Sequence, residues 1–142
     1  MNAVLRSLLI VGLVGTHALR YTVHNTPVDF YEAWMQCMAK GGYLAAIETA
    51  LQNAMVLEAV KKAGGPEFWW IAGTDNGLEG VWIWMSRNLR MGSVSGYVNW
   101  MAGEPSNTGT GGENCAAIGS AGTWSDKPCT NTYKYVCEYY TA

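Results

Sequence analysis

Residues 100–129, WMAGEPSNTGTGGENCAAIGSAGTWSDKPC, form the most informative segment of the chain. Glycine, asparagine and serine make its first half irregular, and two cysteines bracket its second half. The oxygen-bearing side chains in this segment include Glu104, Ser106, Asn107, Glu113, Asn114 and Asp126. Several oxygens on irregular backbone suit a hard cation such as Ca²⁺. The segment therefore predicts a calcium site, with calcium as the cofactor.

The overall composition predicts one folded domain and argues against a nucleic-acid partner. The chain has 142 residues, of which 49% are hydrophobic and only 14% are charged. A chain of this length is sufficient for one domain with a substantial core. The formal net charge is −2 at pH 7, so the protein lacks the basic field that holds nucleic acid.

The N-terminus has the pattern of a secretory signal. Arg6 supplies a positive charge, residues 8–14 are apolar, and Thr16 and Ala18 put small side chains at positions −3 and −1 of a cleavage site after Ala18. An N-terminal membrane anchor is the alternative, but the apolar run is too short to span a bilayer. We therefore expect a signal peptide over residues 1–18 and a secreted single domain over residues 19–142, with no membrane span.

Export gives the cysteine count a structural meaning. The chain has 4 cysteines, and disulfides persist outside the cell. Four cysteines allow three different pairings, and the residues alone do not choose among them.

Two helices are predicted in the first half of the chain. Apolar residues recur at helical spacing over residues 29–40 and again over residues 49–62. Each segment begins with a side chain that caps helices, Asp29 or Thr49, and has Glu or Gln three residues later. Glycines and a proline at residues 64–66 end the second helix.

Short strands and turns are predicted for the rest. The strands are expected at 21–25 (ended by Thr26-Pro27), 44–47, 68–72, 81–85, 115–118, 123–124 and 133–139. Residues 86–112 show little periodicity, and a loop of this length in a compact domain usually has a function. Helices followed by short strands indicate an α+β fold.

Several segments together resemble the C-type lectin-like domain, over nearly all of residues 19–142. The segments, in order, are FYEAWMQC, GGYLAAIE, FWWIAG, GEPSN, WSD and the final YVCE. Their order and the four cysteines make the resemblance specific. The short chain and its GTDNGLEGVWIW run are most similar to small secreted lectins of invertebrates.

The resemblance implies a fold and a disulfide pattern. The family fold has two helices, two small antiparallel sheets and a long loop that binds calcium and sugar. The implied disulfides join Cys37 to Cys137 and Cys115 to Cys129. The resemblance also implies a cis peptide bond before Pro105.

The resemblance further implies the ligands of a principal calcium ion. They are Glu104, Ser106, Glu113 and Asp126, with Asn107 replacing Ser106 if the loop bulges by one residue. A second ion would involve Asp75, Glu79, Glu113 and Asn114, although residues 75–77 are also ordinary turn residues. Glu48 and Glu138 match a further ion site of some relatives, but we favour a structural role for them.

In this family, two neighbouring sugar hydroxyls complete the coordination of the calcium ion. The implied carbohydrate-binding residues are Glu104, Ser106, Glu113 and Asp126. The Glu-Pro pair resembles the mannose-type pattern, whereas Ser106 and Ser125 stand where that pattern has asparagine. These serines keep an alternative open, a calcium-independent domain that binds protein and has lost sugar binding. Oligomeric state is not predicted.

Catalysis is not expected. Outside the predicted signal, His24 is the only histidine, and it lies far in sequence from any serine that could act as a nucleophile. Glu104 and Glu113 could imitate a glycosidase pair, but the resemblance assigns both to calcium. The tryptophans 70, 82, 84 and 100 are expected in the core, and Trp124 is expected to support Asp126.

Overall fold

The structure, a computed structural model, describes residues 19–65 and 67–141, so the predicted signal peptide lies outside the described residues. Two helices and eight strands form within this part of the chain. The elements are β1 Leu19–Val28, α1 Phe30–Ala39, β2 Tyr43–Leu44, α2 Ala50–Ala63, β3 Phe68–Thr74, β4 Ile83–Trp84, β5 Leu89–Arg90, β6 Cys115–Gly119, β7 Trp124–Lys127 and β8 Tyr133–Tyr140. The predicted α+β class is confirmed.

Both helices begin where the capping residues predict. The Asp29 carboxylate accepts a hydrogen bond from the Glu32 amide at 2.9 Å, and the Thr49 hydroxyl accepts one from the Gln52 amide at 3.1 Å. These bonds satisfy amides that have no partner inside the helix. Gly64, with φ of 77°, follows the last residue of α2, because a left-handed backbone at this point favours glycine.

The strands form one connected mixed sheet. The β1, β8, β3, β4 and β5 strands follow one another across it, β2 pairs with β8, and β6 bridges β3 and β7. The two small antiparallel sheets that the resemblance implies are here joined into one. Strands β3 and β8 pair in parallel through Trp69 with Lys134 and Trp70 with Tyr135, which joins the two halves.

Strand β1 is longer than predicted. It continues through Thr26-Pro27 to Val28 and pairs antiparallel with β8, with a register shift between His24 and Val28. Proline has no amide hydrogen to donate, but an edge strand with an irregular register accommodates it. The prediction that Pro27 ends the strand was therefore wrong.

Strand β2 is shorter than predicted, because only Tyr43–Leu44 pairs as a strand with β8. Residues 45–47 are fully buried without being a strand. Ala45 still connects the sheet, since its amide donates to the Val136 carbonyl at 3.0 Å and its carbonyl accepts from the Ala72 amide at 2.8 Å. Hydrophobicity predicted the burial of this segment correctly but not its backbone form.

The second half of the chain differs from prediction at three strands. Strand β4 contains only Ile83–Trp84, and β5 is a short partner strand inside the expected loop. Strand β7 extends from Trp124 to Lys127 and pairs with β6. Asp126 therefore lies in a strand and not in a turn, so a ladder of backbone hydrogen bonds holds its position.

The core is rich in tryptophan. Trp69, Trp70, Trp84 and Trp124 are at most 1% exposed, and Trp82 is also buried. Trp100 is only partly buried, and its ring packs edge-to-face on Trp82 and Trp124 with centroids 4.8 and 5.9 Å away. Edge-to-face contacts suit the charge distribution of aromatic rings. The expectation of a tryptophan core is confirmed, with Trp100 at its edge.

Both disulfides form as the resemblance implies. Cys37 on α1 joins Cys137 on β8, and Cys115 on β6 joins Cys129 after β7. The first disulfide ties the beginning of the domain to its end. Neither α1 nor α2 has the length and apolar character needed to cross a bilayer, and the same holds for the rest of the described chain.

Candidate functional site

Asp126 holds the Ser106–Asn107 segment of the long loop. Its carboxylate accepts hydrogen bonds from the Ser106 amide at 2.9 Å and from the Asn107 amide at 2.6 Å. The residue is 1% exposed and is held by the pairing of β7 with β6. The Glu104–Pro105 peptide bond just before these amides is cis, as the resemblance implies. Asp126 thus connects a rigid strand to the segment that carries Glu104 and Ser106.

Glu113 closes the other side of the loop. Its Oε1 accepts hydrogen bonds from the Ser106 hydroxyl at 3.1 Å, the Thr108 amide at 3.1 Å and the Thr108 hydroxyl at 2.7 Å. The Glu113 amide in turn donates to Oδ1 of Asn107 at 2.9 Å. Asn107 has a left-handed backbone with φ of 48°, which asparagine tolerates better than most residues. The loop is therefore folded around two carboxylates.

Glu104 and Asp126 interact directly through their carboxyl groups. Burial, together with a hydrogen bond and repulsion from Asp126, raises the pKa of Glu104. Burial acts to raise the pKa of Asp126, but hydrogen bonds from Glu104 and from the Ser106 and Asn107 amides lower it below its ordinary value. A proton or a cation between the two carboxyl groups would relieve their repulsion.

Basic side chains do not neutralise this acidic pair. In the described part of the chain, the ion pairs of lysine and arginine all involve other carboxylates. Lys127 is adjacent to Asp126 in sequence, but its ammonium lies over the Phe68 ring, 4.1 Å from the centroid. The negative charge of Glu104, Glu113 and Asp126 thus remains available for a cation.

Gly112 is required by the loop. It has φ of 76°, and a Cβ atom at this position would lie 2.6 Å from Oδ1 of Asn107. That oxygen accepts the hydrogen bond of Glu113, so a larger side chain would displace the bond that orients the loop. The glycine therefore allows the close approach of residues 107 and 112.

A second polar group lies beside the first. Asp75 is 2% exposed and accepts a hydrogen bond from the Gly80 amide at 2.9 Å. In the amide orientation that satisfies its surroundings, Asn114 donates to Asp75 at 3.0 Å, to Glu79 at 3.1 Å and to the Glu113 carbonyl at 3.2 Å. A hydrogen bond with Asp75 and burial raise the pKa of Glu79. The structure thus brings together Asp75, Glu79 and Asn114 of the residues predicted for a second ion, whereas the Glu113 carboxylate accepts its hydrogen bonds from Ser106 and Thr108.

Trp124 supports the site from inside the core. Its indole Nε1 donates to Oδ1 of Asn53 on α2 at 2.8 Å, and Asn53 donates to the Gly122 carbonyl at 2.9 Å. Trp124 begins the strand that carries Asp126, so the helix and the loop are connected through one buried side chain. Asn53 was not predicted, because an asparagine inside a helix gives no sequence signal of its partner.

Glu48 and Glu138 have a different partner. The Arg87 guanidinium pairs with Glu48 at 3.3 Å and donates to Glu138. Glu138 also accepts a hydrogen bond from the Ala46 amide at 2.9 Å. A cation supplied by the chain already lies between these carboxylates, which agrees with the structural role favoured from the sequence.

The donors of the loop fit calcium in type. Within residues 19–65 and 67–141, no cluster of three or more His, Cys, Asp or Glu side chains is arranged to hold a metal. Ligands in addition to carboxylates would therefore have to come from hydroxyl, amide and backbone oxygens. All the predicted donors are oxygens, and calcium prefers several such ligands in a flexible arrangement. Thr108 joins this set, although the sequence analysis did not include it.

Most of the chain matches one known protein family. Residues 26–139 match the protein family described as the lectin C-type domain. The chain belongs to the C-type lectin family. The match covers both helices, both disulfides and all of the predicted calcium residues, so the site described above lies within the family domain.

Individual C-type lectins are similar to most of this chain. Tetranectin of Mus musculus is 32% identical over 118 residues, which is 80% of this chain and 55% of tetranectin. The chain thus spans about half the length of this relative. The carbohydrate-recognition domain of the mouse scavenger receptor C-type lectin has a TM-score of 0.78 at 29% identity, over 89% of this chain and 93% of that domain.

Another solved C-type lectin fold shows how varied the family is. A type II antifreeze protein described as Ca²⁺-dependent, solved in its Ca²⁺-free form, has a TM-score of 0.72 at 25% identity. The similarity covers 87% of this chain and 94% of that protein. Membership in the family therefore does not by itself determine the ligand.

Proposed function

We propose that this protein is a secreted lectin that binds carbohydrate through a calcium ion held by the long loop. The observation that carries the proposal is the convergence of Glu113 and Asp126 on Ser106, with Glu104 in contact with Asp126. The domain would bind and not catalyse, because all four cysteines are in disulfides and the described histidine, His24, contacts Thr22 and Tyr135 and not the hydroxyls of the loop.

The principal ion would be held by Glu104, Ser106, Glu113 and Asp126. Two acidic groups in contact are unfavourable at neutral pH unless a proton or a cation lies between them. A divalent cation removes this repulsion, and bound calcium can at the same time accept hydroxyl oxygens as further ligands. Asn107 would contribute less than the sequence allows, because its side-chain oxygen already accepts the Glu113 amide.

The second ion would be held by Asp75, Glu79 and Asn114. The raised pKa of Glu79 indicates the same conflict between neighbouring carboxyl groups as in the principal site. Asn114 directly follows Glu113, so the two ions would share one segment of the loop. Binding at one position would therefore order the ligands of the other.

Sugar would bind by placing two neighbouring hydroxyls on the principal ion. Glu104 and Glu113 can also accept hydrogen bonds from those hydroxyls, and Ser106 can donate one. We propose a mannose-type preference because Glu104 precedes Pro105, as in the mannose-type pattern. The binding of a single sugar is expected to be weak, since a serine replaces an amide at position 106.

A second candidate function is a domain that binds protein and has lost sugar binding. Ser125 favours this alternative, because this residue next to Asp126 on β7 carries a hydroxyl where the mannose-type pattern has an amide. A serine lacks the separate carbonyl and NH₂ groups with which an amide can bind both an ion and a sugar. Calcium dependence of ligand binding separates the two functions.

A calcium titration followed by tryptophan fluorescence tests the proposal. Trp124 lies two residues before Asp126, so occupation of the loop is expected to change its emission. Glu104→Gln and Asp126→Asn should each weaken the saturable response at least tenfold. Glu58→Gln is the matched control, because Glu58 is an exposed carboxylate paired with Lys62 on α2.

Sugar binding is measured next, with mannose and galactose, in the presence of calcium and after its chelation. Calcium-dependent binding of mannose supports the lectin. Absence of a calcium response by fluorescence and by calorimetry would overturn the proposed site. A calcium response without binding of either sugar would favour the protein-binding alternative.

A further inference from the structure

A cleft of about 380 Å³ lies beside the proposed calcium loop. Its walls come from α1, from the turn after β3, from the glycine-rich part of the loop and from the segment after β7. The residues that give it its chemistry are Tyr31, Asn76, Thr110, Asn114 and Thr130. This volume is at the lower end of the range of small-molecule sites, so it suits one or two compact units.

Tyr31 gives the cleft a fixed aromatic wall. It is 41% exposed, although it lies on the first turn of α1. Its ring packs edge-to-face against Phe30, with centroids 5.3 Å apart, and its hydroxyl accepts a hydrogen bond from the Asn76 amide. An exposed ring that is held from two sides loses little conformational freedom when a ligand covers it.

The rest of the lining is polar and uncharged. Asn76 supplies an amide, Thr110 and Thr130 supply hydroxyls, and Asn114 lines the cleft with its NH₂ group turned towards Asp75 and Glu79. None of the residues that line the cleft is acidic or basic. A neutral ligand with many hydroxyls and one apolar face matches an aromatic ring surrounded by amides and hydroxyls. A sugar unit has this chemistry, whereas a phosphorylated or strongly charged ligand does not.

The cleft shares its segments with the proposed calcium site. Gly112 and Asn114 line the cleft on either side of Glu113, and Pro128 lies two residues after Asp126. Since neighbouring Cα atoms are about 3.8 Å apart, these wall residues lie within about 8 Å of the two carboxylate residues along the chain. A ligand on the proposed ion would therefore have its next unit near the cleft.

We propose that this cleft is a second subsite and that the protein recognises an oligosaccharide and not a single sugar. Tyr31 would stack on the apolar face of the second unit, and the surrounding amides and hydroxyls would bond to its hydroxyl groups. The inference depends on the proposed lectin function, because the first unit is held by calcium. Contacts of two linked units add to one binding event, so the cleft would offset the weak binding of a single sugar that is expected from Ser106.

The test measures the affinity of the whole protein, with calcium, for mannose and for galactose. Each single sugar is compared with its own linear trisaccharide. The trisaccharide of the sugar that binds should bind at least tenfold more tightly than its monosaccharide. Tyr31→Ala should weaken the trisaccharide about three- to tenfold and leave the monosaccharide unchanged. Tyr31→Phe keeps the ring and loses the bond to Asn76, so it should retain most of the trisaccharide affinity.

Tyr43→Ala is the matched control, because Tyr43 is similarly exposed on β2, outside the cleft. Equal affinities for the single sugar and its trisaccharide would overturn the subsite and leave the calcium lectin intact. An unchanged trisaccharide affinity in Tyr31→Ala would likewise overturn the subsite without affecting the proposed calcium lectin. If neither sugar binds in the presence of calcium, both the lectin function and the subsite are overturned. Binding of a protein at the cleft would overturn the subsite alone.

Discussion

The Arg87 guanidinium donates from Nη2 to Oε2 of Glu138, a carboxylate that is 1% exposed. The same guanidinium pairs with Glu48, which lies just before α2. Burial raises the pKa of Glu138, while the hydrogen bonds from Arg87 and from the Ala46 amide act in the opposite direction. One arginine at the beginning of the long loop thus neutralises acidic groups from two distant parts of the chain.

Substitution of Arg87 by methionine is expected to lower the free energy of unfolding by about 3–5 kcal/mol at neutral pH. The substitution leaves the carboxylate of Glu138 buried without its cation. Urea unfolding followed by circular dichroism measures the loss. Lys62→Met is the control, because the pair of Lys62 with Glu58 is exposed and is expected to contribute no more than about 1 kcal/mol.

The loss in Arg87→Met should become smaller at lower pH. Without the guanidinium, the folded-state pKa of Glu138 rises further above its unfolded value, so protonation favours the folded state as the pH falls towards 5. The double variant Arg87→Met with Glu138→Gln should recover part of the lost stability at pH 7. A loss below about 1 kcal/mol at pH 7 in the single variant would show that this ion pair does not stabilise the fold.

Asn53→Ala is expected to destabilise the protein by about 1–3 kcal/mol, because it leaves the buried Nε1–H of Trp124 without an acceptor. The Gly122 carbonyl keeps a partner, since Asn99 also donates to it at 2.7 Å. Asn99→Ala is therefore the matched control and should lower the free energy of unfolding by less. Equal losses in the two variants, measured by thermal unfolding, would contradict a special contribution of the Asn53–Trp124 bond.

Glu104→Gln should have opposite effects with and without calcium. In chelator, the variant should unfold at the same or a higher temperature than the natural protein, because it removes an acidic group from contact with Asp126. At a calcium concentration of one hundred times the dissociation constant, the natural protein should gain about 2.7 kcal/mol, and the variant should gain much less.

Differential scanning calorimetry in both conditions checks this pair of effects. Equal calcium stabilisation of the two proteins would exclude Glu104 as a calcium ligand. A lower unfolding temperature of the variant in chelator would show that the Glu104–Asp126 contact stabilises the metal-free protein.

His24 should make stability depend on pH near neutrality. Burial and the positive charge of Lys40 lower its pKa below the ordinary value of 6.5. The neutral ring, stacked on Tyr135 with centroids 4.9 Å apart, is therefore the form that the folded state favours. The contribution of His24 to the free energy of unfolding is fully present above 6.5, the ordinary pKa that it has in the unfolded chain. This contribution is lost as the pH falls from 6.5 towards the lower pKa of His24 in the folded state.

His24→Gln should consequently flatten the stability curve between pH 7.5 and 5.5. The comparison of unfolding temperatures of the two proteins at these pH values isolates the histidine, because both proteins have the same carboxylates. Parallel curves for the two proteins would contradict the lowered pKa.

The helices were predictable because their signals are local. Asp29 and Thr49 cap segments with helical periodicity, and each helix begins at the residue that follows its cap. The cysteine count indicated disulfides, but only the resemblance chose Cys37–Cys137 and Cys115–Cys129. The strands were less predictable, because a strand is completed by a partner elsewhere in the chain. The extension of β7 to Lys127 depends on its pairing with β6.

The sequence by itself determined the α+β class, the capped helices and the supply of oxygen donors in the loop, because these follow from residue types at short spacing. Only the tertiary structure decided that Glu104 contacts Asp126, that Arg87 neutralises Glu138 and that Tyr31 lines a cleft beside the loop. Each of these relationships joins residues that are distant along the chain. Their contacts depend on how the sheet and the helices pack, and residue spacing carries no record of that packing.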